Sequence, residues 1–268
     1  MLIDFHTHCF PDALAPRAME SLKNNCAGFD FIKPHTDGTA GDAKALLRGC
    51  GVTRAVVCNI ATNPRQERKV NDFAISLLED GFFSPLGSVH PDSTEKAAEL
   101  DRLRAAGICG IKLHPDYVRV QLNDPRFDEI FSLAEERDML VVVHAGLDPI
   151  SPDLIHATPR MFAVVLKKHP RLTLIAAHMG GFLKAEETLA HLVGTNVYLD
   201  TSLSSLRESE RDSLYAILKQ HDPARLLFAS DTPWSNPAKE IAFIENAPID
   251  ERVKAMIFAE NAARLLKL

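Results

Sequence analysis

Hydrophobic positions along the chain fall into two alternating kinds of segment. Short runs rich in Val, Ile and Leu occupy residues 2–8, 55–59, 83–90, 108–114, 140–144, 172–178, 196–201 and 226–231. Between them, residues 40–50, 70–78, 95–106, 128–137, 159–168, 185–192 and 208–221 space their apolar positions as helices do. Runs such as LVVVH and LTLIAAH are continuously apolar, which suits strands covered on both faces and therefore a parallel sheet. Eight such βα units closing on themselves predict an α/β fold of the (β/α)8 TIM barrel type. An open doubly wound sheet would share the alternation, but no G-x-G-x-x-G follows the first strand.

A chain of 268 residues without linker, repeat or low-complexity tract reads as one domain, residues 1–268. Residues 9–39, with Pro11, Pro16, Gly28, Pro34 and Gly38, read as a long loop after the first strand that covers the site. A formal net charge of −6 provides no basic field for nucleic acid. No leader precedes the first strand and no apolar stretch reaches the roughly 20 residues of a membrane span, so no membrane partner and a cytoplasmic location are expected. Five cysteines without a C-x-x-C pair suggest neither disulfides nor a cysteine metal site.

In a parallel barrel the functional face lies at the carboxyl ends of the strands. Here those ends carry His6 and His8, His90, His114, His144, His178 and Asp231. Period-two alternation turns His6 and His8 to one side, and likewise Lys112 and His114. Imidazole nitrogen and carboxylate oxygen are the usual donors for zinc and related ions. A single strand-end histidine is more often a hydrogen-bonded rim residue, the better reading for His90 and an open one for His114. For His144, His178 and Asp231, burying three polar groups at one rim without a shared purpose would cost desolvation each time. Lys112, inside the apolar run IKL, must snorkel, pair with a carboxylate such as Asp4 or Asp231, or be modified to a carbamate bridging two metals.

The segments DFHTHCFPD, LGSVHPD, GIKLHPDY, VVVHAG, IAAHMGG, YLDTS and FASDTPW, in that order, resemble the amidohydrolase superfamily, and within it the amidohydrolase type 2 branch of small metal-dependent hydrolases and decarboxylases. The resemblance spans essentially the whole chain. It implies a divalent metal on His6, His8, His144 and Asp231. It also implies that His178 polarises substrate or binds a second ion with Lys112, and that Asp231 is a general base. Zinc is the expected metal, in one or two copies; manganese, iron and cobalt suit the same donors.

These residues lead to the expectation of a hydrolase that attacks a small lactone, ester or amide with metal-activated water, Asp231 and His178 being catalytic. The alternative is a non-oxidative decarboxylase of a small unsaturated or aromatic acid. Less favoured are a TatD-like nuclease, for which the fourth-strand carboxylate is missing, and a non-catalytic metal-binding module. His114, Tyr117, Asp148 and Trp234 are the expected substrate-binding positions, among rim residues that include Lys33, Arg119, Arg160, Lys184 and Arg207. This mixture suits a small substrate bearing a carboxylate. Apolar helices and the resemblance make a homodimer the expected assembly.

Overall fold

A computed structural model of the chain describes every residue except Ala27. Its strands follow the sequence pattern in number and order: β1 Ile3–Thr7, β2 Arg54–Cys58, β3 Phe83–Leu86, β4 Gly110–Leu113, β5 Leu140–Val143, β6 Leu174–Ala176, β7 Tyr198–Asp200 and β8 Leu226–Leu227. All adjacent pairs within the β1–β3 and β4–β8 sheets are parallel. The sheets meet at both edges. Gly87 bridges to Ile111 and Thr7 to Thr232, and Phe5 N–H donates to the Phe228 carbonyl at 2.8 Å. The result is the expected eight-stranded (β/α)8 ring.

Helices begin where the local chemistry favours them. Pro159–Lys168, identical to its predicted span, has proline in the first turn and Thr158 accepting from Met161 N–H. Pro125–Glu136 uses Asp124 and Pro125 in the same way, starting three residues before its predicted apolar run. Residues 9–39 differ from the expected loop: they contain the helix Ala15–Asn25, started by a proline and buried through Ala15 and Met19. Its few apolar positions, set among prolines and glycines, hid its period. Among the described residues no helix is long and apolar enough to cross a membrane, and all five cysteines are free.

The core has two shells. Ile111, Leu113, Val141, Val143, Leu174 and Leu199 pack outward against helices, whereas Ile3, Phe5, Val56, Leu86, Val142 and Ile175 fill the interior. In β1 the register slips between Asp4, opposite Ala55, and Thr7, opposite Val57, so β1 carries one extra residue. Such a bulge re-aims side chains. Alternation changes phase there, so that after Ile3 and Phe5 the inward face is continued by His6 and His8.

Candidate active site

The site is built at the carboxyl ends of the strands, where backbone turns hold polar groups in place. His6 lies in β1, Lys112 in β4 and Asp200 at the end of β7; His8, His144, His178 and Asp231 follow their strands directly or within a few residues. His178 and Asp231 have left-handed backbones, with φ of 57° and 66°.

Hydrogen bonds fix which nitrogens are free. His6 Nδ1 donates to Asp200 Oδ2 at 2.9 Å, and His8 Nδ1 donates to the Cys58 carbonyl at 2.8 Å. In neutral rings this leaves both Nε2 atoms as lone pairs. They face Asp231 Oδ1 at 3.6 Å (His6) and 3.1 Å (His8). The His8 contact is therefore not a hydrogen bond, since neither atom has a proton to give when Asp231 is ionised. Asp231 Oδ1 is buried without a partner. Donors about 2.0–2.2 Å from a shared ion stand roughly 3.2–3.6 Å apart. His6, His8 and Asp231 thus fit a divalent cation on their own spacing and on an orphaned oxygen.

Residues 3–268 match the family described as amidohydrolase. The chain belongs to the amidohydrolase family. No curated protein sequence matches it. Among solved structures it is similar to an uncharacterised TIM-barrel protein of Bordetella bronchiseptica, with 17% identity, a TM-score of 0.78, and 99% of this chain and 98% of that chain covered. It is similar also to the 5-carboxyvanillate decarboxylase of Sphingomonas paucimobilis, with 18% identity, a TM-score of 0.65, and coverage of 100% and 99%. A third similar structure is a dihydroxybenzoic acid decarboxylase of a Polaromonas species with bound manganese and the inhibitor 2-nitroresorcinol; identity is 17%, TM-score 0.69, coverage 100% and 97%.

On this amidohydrolase frame, the remaining predicted residues divide into two groups. His144 does not join the cluster of His6, His8 and Asp231. Its Nδ1 lies 3.1 Å from His178 Nε2, and its Nε2 faces Asp148 Oδ2 at 3.8 Å and Asp116 Oδ2 at 3.9 Å. His114 stacks on His144 with ring centroids 4.2 Å apart and places its Nε2 3.4 Å from Asp148 Oδ2. Tyr117 packs edge-on against His114. Burial holds the imidazoles of His6, His114 and His178 well below their ordinary pKa and pushes that of His144 down to about 3. The same desolvation raises the Asp231 carboxyl.

Lys112 pairs with no carboxylate among the described residues. Asp4 is taken up by Ser230 N–H at 2.9 Å, Ser230 Oγ at 2.5 Å and His6 N–H at 3.2 Å. The Lys112 amine instead lies 3.0 Å from His6 Nε2, its pKa lowered by burial. Trp234 joins Ile32, Phe182 and Leu203 in an apolar cluster, and the Phe182 ring is 6.3 Å from that of His178. Lys33, Arg119 and Arg160 are solvent-exposed. Arg207, expected at the rim, is buried beneath it: its guanidinium donates to the carbonyls of His178 and Gly181, both at 2.9 Å, and to Glu210. The left-handed turn at His178 exposes those carbonyls inward and needs such a donor. His90 accepts from Asp92 N–H in its own turn.

Sequence reading passed over Asp200, Ser202, Asp116 and His156. Asp200 Oδ1 accepts from His178 N–H at 2.9 Å and from the Ser202 hydroxyl, and Ser202 Oγ lies 2.7 Å from His178 Nδ1. Asp116 Oδ1 accepts from His156 Nδ1 at 2.9 Å and from Ser151 Oγ at 2.5 Å. A carboxylate closing the apolar run YLD was the available signal for Asp200.

Proposed function

We propose that the protein is a metal-dependent, non-oxidative decarboxylase of a small aromatic or unsaturated carboxylic acid. The observation that carries this reading is the apolar wall of Ile32, Phe182, Leu203 and Trp234 beside the His178 end of the donor cluster. A planar ring suits such a wall, and an acid group on that ring suits a cation. The full-length likeness to carboxyvanillate and dihydroxybenzoate decarboxylases supports the same choice over hydrolysis of a lactone, ester or amide.

His6, His8 and Asp231 would hold the divalent ion, manganese or zinc being compatible with this donor set. When bound, the ion supplies a Lewis acid that polarises substrate oxygen. Asp200 orients His6 through Nδ1 and thereby keeps Nε2 free. Asp231, with Oδ1 turned to His6 and His8, has its other carboxylate oxygen to take a proton from solvent and deliver it to the ring carbon as the bond to the carboxyl group breaks and carbon dioxide leaves. Phe182 and Trp234 exclude water from that carbon.

The test is a panel of hydroxy- and methoxybenzoates set against a panel of lactones, esters and amides. Carbon dioxide release from a member of the first panel, abolished by a chelator and by Asp231→Asn, is expected. Turnover confined to the second panel would replace this reading with hydrolysis.

A further inference from the structure

The apolar wall beside the site draws on two turns of the chain. Ser205 lies between Leu203 and Leu206 on the turn after β7, and Ser235 follows Trp234 on the turn after β8. Leu203 has a left-handed backbone, with φ of 59°. A residue with a bulky side chain keeps that conformation only where its surroundings impose it. One end of its turn is fixed by Arg207, which reaches the His178 and Gly181 carbonyls.

The other hold on this turn is Glu240. This carboxylate, in the helix Pro237–Glu245 and 1% exposed, accepts on Oε1 from the Ser205 hydroxyl at 2.6 Å and the Ser235 hydroxyl at 2.5 Å. Its Oε2 accepts from Ser205 N–H at 3.0 Å. It thus bonds the residue next to Trp234 and a residue two positions from Leu203 at once. Two plainer roles fit less well. The helix has its cap already, since Asn236 accepts from Ala238 N–H at 2.9 Å. Nor does Arg207, on the same turn as Ser205, give Glu240 an ion pair: it pairs with Glu210 at 2.7 Å. Burial among these neutral donors pushes the Glu240 carboxyl up to about 7. A carboxylate desolvated in this way is a costly source of stability, whereas three bonds from one rigid group fix the distance between two turns.

We propose that Glu240 is a positioning residue of the site: by holding Ser205 and Ser235 it sets Trp234 against Leu203 and so shapes the face on which substrate lies. The placement of Trp234 stands without the decarboxylase reading; the aromatic nature of the substrate rests on it. Glu240→Met keeps much of the volume and removes every acceptor. Glu240→Gln keeps the clip, because its oxygen can accept from Ser205 N–H while its amide donates to the two hydroxyls.

The test uses the full chain, in which Trp234 is the single tryptophan and reports on its own placement by fluorescence. In Glu240→Met, red-shifted emission and stronger quenching by acrylamide are expected. KM for whichever benzoate, lactone, ester or amide the wild type turns over should rise roughly three- to tenfold, the worth of one lost apolar contact, with a smaller change in kcat. Ser205→Ala combined with Ser235→Ala leaves Glu240 in place and should reproduce both effects, so a folding failure of Glu240→Met still leaves a test. Glu240→Gln should restore wild-type emission and KM. Unchanged emission and quenching in the folded variants overturn the proposal, as does altered quenching with an unaltered KM. Effects that follow a lowered urea midpoint and persist in Glu240→Gln overturn it too. A KM shift on a lactone or ester alone upholds Glu240 and rejects decarboxylation; benzoate turnover without a shift does the reverse.

Discussion

Asp200 holds the two halves of the site together, taking the His6 imidazole on Oδ2 at 2.9 Å and the His178 backbone N–H on Oδ1 at 2.9 Å. One carboxylate thus sets the tautomer of His6, a proposed metal donor on β1, and the position of an imidazole after β6. Asp200→Asn keeps the shape but can present an amide N–H where an acceptor is required. Loss of such a partner typically weakens metal binding about 10- to 100-fold. Co²⁺ titration of the variant checks this; wild-type affinity would mean that Asp200 does not orient His6.

Lys112 donates to the same His6 Nε2 that an ion would use. Removing that competitor with Lys112→Met should leave metal bound and tighten it severalfold, in line with about 1 kcal/mol for a lost hydrogen bond. Loss of metal in the variant, by equilibrium dialysis, would point instead to a carbamate ligand on Lys112.

Arg207 closes two buried carbonyls of the turn that carries His178. Arg207→Met should destabilise the fold by about 3 kcal/mol, because the carbonyls and Glu210 lose their charged partner. A urea midpoint within error of wild type would contradict this.

Metal-free protein should lose stability in mild acid. The imidazoles of His6, His35, His90, His114, His144, His178 and His221 all have lowered pKa values, so below about pH 6.5 the unfolded chain takes up protons that the fold refuses. Carboxyls pushed up by burial act in the opposite sense: Asp4 and Glu240, each at about 7, with Glu67 and Asp231, stabilise the fold at low pH and lose that contribution as pH rises through their folded values. The four fully buried imidazoles of His6, His114, His144 and His178 carry the larger effect, so stability should fall from pH 7 to pH 5.5. Urea unfolding of chelator-treated protein checks this, and equal or greater stability at pH 5.5 would contradict it.

The strands were legible because a parallel barrel needs uninterrupted apolar runs, and the polar residue ending each run marked the rim. Strand ends do not show where a ring nitrogen points. His144 reads in sequence as a partner of His6, His8 and Asp231; that its Nδ1 lies 3.1 Å from His178 Nε2 depends on neighbours brought near only by the closed barrel. Arg207 misled for a related reason: its charge suggested solvent, whereas a left-handed turn created buried acceptors for it. The helix Ala15–Asn25 escaped because two buried residues make too weak a period.

The proposed reaction is a carbon–carbon cleavage in which solvent supplies a proton and no oxygen. Turnover of the best benzoate substrate in water carrying both deuterium and oxygen-18 tests it most directly, read by mass spectrometry of the aromatic product. Decarboxylation leaves one deuterium on the carbon that lost its carboxyl group and no oxygen-18 in the product. Oxygen-18 in the product, with no carbon-bound deuterium, would contradict it and identify a hydrolase.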